Sequence, residues 1–210
     1  MTPPQLNVLI GATGSVASIK VPELVQGFRA LGDHVNVCVV ATHPALHFFA
    51  LDQLLLAPDQ PCSEPLLSPP LVTRTESKTA DTIVEWSPQS VLYTDKEEWD
   101  LWNQKGDPVL HIELRKWADV FVIAPLDANT LGKLANGLCD NLLTSIVRAW
   151  DFTRKPCIVC PAMNTYMWDH PFTSKHLGTL TQELGCQVIP PVRKTLACGD
   201  TGMGAMENPG

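Results

Sequence analysis

The turn Gly11-Ala12-Thr13-Gly14-Ser15 follows the apolar run Asn7–Ile10 and opens an amphipathic stretch. A strand, a glycine turn and a helix start make a phosphate cradle on mechanical grounds. Glycine lets the backbone approach an anion, and the first amides of a helix favour negative charge. The hydroxyls of Thr13 and Ser15 are expected to add donors. Without a ligand the same segment is a tight strand-to-helix turn. It is neither G-x-G-x-x-G nor the P-loop pattern, so it specifies neither NAD nor ATP. A dinucleotide fold carries an acidic residue roughly 20 positions further on for the ribose. Here the second apolar run ends Val40-Ala41-Thr42-His43-Pro44, with no carboxylate. A mononucleotide such as FMN fits better.

Two further apolar runs end in amide-bearing segments, Ala124-Pro125-Leu126-Asp127-Ala128-Asn129-Thr130 and Pro161-Ala162-Met163-Asn164-Thr165-Tyr166-Met167-Trp168. Singly, each Asn or Asp could be a helix cap. Together, at two strand ends of one sheet, they read as two walls of a pocket. His111 stands at the start of a probable helix, where a lone histidine is more often structural than catalytic. His43 and His47 lack an adjacent Glu and a third ligand, so no metal site is expected. Leu196–Met206 is rich in glycine and contains Cys198. It reads as a mobile flap over a ligand or as a frayed tail. Cys157 and Cys160 form a C-x-x-C, but on a strand their odd offset sends the sulfurs to opposite faces. They read as buried small hydrophobes.

The elements that must position these residues alternate. Strands are expected at Asn7–Ile10, Val35–Val40, Val120–Ala124 and Cys157–Cys160, with a last strand at Gln187–Ile189. Helices are expected over Ser15–Leu31, with Pro22 as an irregularity that could kink it, and over Pro44–Phe49, Glu97–Trp102, His111–Trp117, Asn129–Ala135, Leu142–Trp150 and Thr173–Leu184. This alternation predicts an α/β fold with a mostly parallel sheet, covered by helices on both faces. Ligands then sit at the carboxyl ends of the strands. Prolines at 58, 61, 65, 69, 70 and 88 punctuate a stretch from about Leu56 to Ser90, which reads as a surface insertion.

With 210 residues, one domain of 1–210 is expected, large enough for a full core. Hydrophobic content is 45% and mean hydropathy +0.04, which argues against a disordered chain. The net charge of -7 excludes a broad basic face for nucleic acid. No apolar run is long enough to cross a membrane. The N-terminal residues have no basic leader, so a cytoplasmic location is expected.

Taken in order, these segments resemble the flavin-dependent cysteine decarboxylase family. The resemblance rests on G-A-T-G-S-V-A at 11–17, D-P-V-L-H-I-E-L-R-K-W-A-D at 107–119, A-P-L-D-A-N-T-L-G-K at 124–133 and L-C-D-N-L-L-T at 138–144. P-A-M-N-T-Y-M-W at 161–168 and L-A-C-G-D-T-G-M-G-A-M at 196–206 complete it. It covers most of residues 6–50 and 91–206 and implies a flavodoxin- or Rossmann-like fold, FMN and a homotrimer with the site at subunit contacts. The activity it implies is decarboxylation of 4'-phosphopantothenoylcysteine to 4'-phosphopantetheine in coenzyme A biosynthesis, through a thioaldehyde that is later reduced. Two alternatives within the fold are a phosphatase-inhibitory regulatory subunit and a peptidyl-cysteine decarboxylase. By position, His111 and Cys198 match the catalytic histidine and the flap proton donor. Asn164, Met163 and Ala197 match substrate-binding positions. Gly14, Ser15, Val16, Thr42, Asp127, Ala128, Asn129, Thr130 and Ala162 match flavin-contacting segments.

Overall fold

In the computed structural model, residues 3–55, 86–195 and 201–208 are described. The apolar run before the glycine turn forms β1 (Leu6–Ala12), central in a six-stranded sheet. The other strands are β2 (Val35–Ala41), β3 (Leu92–Tyr93), β4 (Val120–Leu126), β5 (Cys157–Pro161) and β6 (Gln187–Val188). Their order is β3-β2-β1-β4-β5-β6 and every pairing is parallel. The inner strands read as continuous apolar runs because helices cover both faces. The order reverses between β1 and β4, the doubly wound Rossmann arrangement, and leaves a crevice at the carboxyl ends of those two strands.

Helices α1 (Val21–Arg29) and α2 (Leu51–Leu55) cover one face, where Val21, Val25 and Leu54 meet Val8, Ile10, Val39 and Val122. Helices α3 (Asp95–Asp100), α4 (Leu110–Trp117), α5 (Ala128–Ala135) and α6 (Leu142–Arg148) follow in the chain. Leu110, Leu114, Leu131 and Ile146 bury against Leu9, Phe121, Ile123 and Val159 on the second face. As expected, Cys157 falls in this second layer and Cys160 in the first.

Four local expectations are corrected. The stretch after the glycine turn is two elements, a 3-10 turn at Val16–Lys20 and then α1. Pro22 kinks nothing. It sits in the first turn of α1, where its missing N–H would have had no intrahelical partner. The segment after β2 is a 3-10 turn, His43–His47. β6 is not the last strand. It is followed by an antiparallel hairpin of β7 (Val192–Thr195) and β8 (Thr201–Ala205). Between β5 and β6 lie a short α7 (Thr165–Trp168) and α8 (Pro171–Gly178), and the helix expected over Thr173–Leu184 is α8 followed by a π-helical turn, Thr179–Glu183. Most of the proline-rich insertion, 56–85, lies outside the described residues. Among the described residues, no helix is long and apolar enough to cross a membrane.

Candidate active site

The glycine turn arrives at the crevice on β1 and is tied there by one buried hydroxyl. Thr13 Oγ1 donates to the Pro125 carbonyl at 2.8 Å and accepts from the Asp127 N–H at 2.7 Å. Its single proton is used inside the protein, and Thr13 is fully buried. The expectation that it donates to a ligand is therefore corrected: Thr13 joins the two strand ends across the switch point. A Cβ at Gly14 would stand 2.8 Å from Pro44 Cβ and 3.0 Å from Asp127 Oδ2. Only glycine fits that approach. Ser15 caps the 3-10 turn, accepting from the Ala17 N–H at 3.4 Å, so its own proton remains to be given. Asp127 caps α5, with Oδ1 accepting from the Thr130 N–H at 2.6 Å.

These residues open onto a cleft of about 440 Å³. Its lining takes Gly14, Ser15 and Val16 from the glycine turn, Asp127 and Ala128 from the segment after β4, and Ala162, Met163 and Asn164 from the segment after β5. Gly204 and Ala205 of β8, and Met206 just past it, complete the lining. The size suits a cofactor-sized ligand. A glycine turn at a switch point, an available serine hydroxyl and a largely apolar wall fit a flavin mononucleotide. Asn164 caps α7, with Oδ1 accepting from the Tyr166 N–H at 2.8 Å, which fixes the side-chain amide at the wall. Both readings of this asparagine, cap and pocket wall, describe one residue. The hairpin is held to the same segment, because the Met163 N–H donates to the Gly204 carbonyl at 3.0 Å. Gly204 has φ +133, and a Cβ there would collide with the Met163 carbonyl. Next to Asn164, Thr165 Oγ1 is buried with no hydrogen-bond partner among the described residues.

Not every expected residue is in the cleft. Thr42 is buried at the end of β2 and hydrogen-bonds Ala12, while Thr130 is buried in α5 and Asn129 is exposed. None of the three lines the cleft, and neither does His111. Ala197 and Cys198, expected in the site, lie outside the described residues. His111 is gripped by Glu98, a residue that sequence reasoning missed. Its Nδ1 is 2.6 Å from Glu98 Oε1, and its backbone N–H donates to Glu98 Oε2 at 3.1 Å. The second bond satisfies an amide in the first turn of α4, whose own N-cap, Val109, has no side-chain cap. At the other end of α4, Lys155 Nζ donates to the carbonyls of Arg115, Lys116 and Ala118 at 3.1, 2.9 and 2.6 Å. The helix bearing His111 is thus fixed at both ends.

The chain belongs to the Flavoprotein family, whose model matches residues 2–210. Among its relatives, phosphopantothenoylcysteine decarboxylase of Arabidopsis thaliana is 51% identical over 209 residues, spanning 99% of this chain and 82% of that protein. The enzyme of that name from Mus musculus is 43% identical, spanning 96% and 81%. Among solved structures, a PPC decarboxylase mutant complexed with pantothenoylaminoethenethiol superposes with a TM-score of 0.76 at 48% identity, covering 98% of this chain and 92% of the other. The FMN binding protein AtHal3 gives 0.73 at 48% identity, with 98% and 91% covered.

Proposed function

We propose that this chain decarboxylates 4'-phosphopantothenoylcysteine to 4'-phosphopantetheine, with FMN held in the switch-point cleft. The observation that carries the reading is the cleft itself: the glycine turn, Asn164 and the hairpin residues Lys194, Gly204 and Ala205 line one cavity at the switch point. The names of the relatives support it.

Gly14, Ser15, Val16, Asp127, Ala128 and Ala162 would hold the cofactor, with Thr42, Asn129 and Thr130 supporting the strand ends around it. Bound FMN supplies reversible two-electron chemistry, so that the overall reaction needs no external oxidant. Asn164 positions the substrate carboxylate with an uncharged amide, which itself adds no charge to stabilise that carboxylate against loss of carbon dioxide. Met163 gives an apolar neighbour, and Ala197, next to Cys198 in the sequence, is assigned to substrate binding. His111 acts as the base. With its Nδ1 hydrogen on Glu98, Nε2 carries the lone pair. Cys198 returns a proton to the product carbon once the hairpin covers the cleft and excludes water.

His111 lies outside the cleft wall of its own chain, which favours a site completed between copies in a homotrimer. Trp99, next to Glu98, and Val109, at the start of α4, are both exposed and suit burial at such a contact. A cytoplasmic location fits this metabolic role. The direct test is turnover of 4'-phosphopantothenoylcysteine with mass detection of 4'-phosphopantetheine. A protein that binds no FMN and forms no product would refute the reading.

A further inference from the structure

Two ammonium groups meet at one neutral oxygen on the rim of the cleft. Lys20 Nζ donates to Asn208 Oδ1 at 2.7 Å, and Lys194 Nζ donates to the same atom at 3.0 Å. Both lysines line the cleft. One ends the 3-10 turn that follows the glycine turn, and the other lies on β7, so two unrelated elements bring them together. Neither forms an ion pair among the described residues, whereas Lys96, Lys116 and Lys133 each have a carboxylate partner. Burial and then the charge of Lys194 push the Lys20 ammonium below its ordinary pKa, opposed by Glu23 and Glu207. In a chain of net charge -7, two unpaired cations sharing one amide oxygen form a local excess of positive charge that an anion would relieve.

We propose that Lys20 and Lys194 form a clasp for a phosphate monoester, and that the group it takes is the terminal phosphate of the substrate. The proposal rests on the decarboxylase reading of the same cleft. A phosphate carries several acceptor oxygens and can receive from both ammonium groups, where Asn208 offers a single oxygen. The phosphate of the flavin is the other possible source of this chemistry. A 3-10 turn rises about 2 Å per residue, which sets Lys20 roughly 10 Å along the turn from Ser15. A flavin phosphate resting on the glycine turn therefore leaves the lysines to a second anion.

The test compares wild-type holoprotein with Lys20→Gln, Lys194→Gln and the double variant. Binding of 4'-phosphopantetheine and of pantetheine is measured by calorimetry, and FMN retention by fluorescence of the released flavin. The wild type should bind the phosphorylated molecule about 10- to 100-fold more tightly, the range for charge-assisted contacts. The double variant should bind the two alike and keep its FMN, with each single variant in between. A wild type that binds both molecules equally, or a double variant that keeps the preference, overturns the clasp. Loss of FMN with the preference intact assigns the lysines to the flavin and also overturns it. Turnover by the wild type is scored separately, because its failure would sink the decarboxylase reading without deciding which anion the lysines bind.

Discussion

Glu98 holds His111 by its ring and by its backbone, and the two contacts have different consequences. Glu98→Gln keeps an oxygen for the ring N–H but loses the charge. Carbon dioxide release should fall about 10- to 100-fold with FMN retained, as when an outer partner of a functional histidine is removed. Unchanged turnover in that variant would show that the carboxylate only caps α4. Cys198→Ser should release carbon dioxide without forming 4'-phosphopantetheine, because the proton of the last step is missing. Normal product formation would remove Cys198 from that role. At this scale the sequence was unevenly informative. Asn164 stands in a dense, distinctive motif, and the structure places it in the cleft lining. Glu98 stands 13 positions before His111 on a separate helix, with no local pattern to mark it. Lys20 and Lys194 meet only through the hairpin, a contact that spacing cannot suggest.

The hairpin of β7 and β8 joins the sheet domain through Gly204. Gly204→Ala would place a methyl against the Met163 carbonyl at φ +133, a strain of about 1–3 kcal/mol. The sheet lies elsewhere, so unfolding should change little while KM rises severalfold. An unaltered KM would mean that the hairpin tolerates displacement. By contrast, Lys155→Met removes three bonds to the end of α4 and should lower stability in urea by about 1–2 kcal/mol. Strands were legible because buried parallel strands are continuous apolar runs. The division at Lys20 was not, since apolar spacing runs through both halves of that stretch. The hairpin escaped notice because Arg193 and Lys194 and the glycines of β8 give no alternation of apolar and polar residues.

For the whole molecule, a site shared between copies makes a distinct prediction. His111→Asn and Cys198→Ser should each fail to form product, but partial unfolding and reassembly of a mixture should restore part of the activity if the two residues of one site come from different chains. No recovery in verified mixed oligomers would place both in one chain. Stability should also depend on pH in a stated direction. Burial raises the Cys160 thiol from 9.0 to about 11, and Cys38 is pushed higher still. The unfolded chain gives up these protons first, so the folded form loses ground as pH rises. The contribution is fully present below pH 9, and Cys160 alone removes about 2 kcal/mol by its folded value of about 11. Thermal unfolding followed by circular dichroism should show a flat midpoint up to pH 9 and a decline above it. β5 offers a further use, because its two thiols sit on opposite sides of the sheet. Brief pulses of alkylating reagent during unfolding, read peptide by peptide, would time the loosening of each layer separately: equal rates at Cys157 and Cys160 mean that the layers part in one event, and unequal rates identify the layer that opens first.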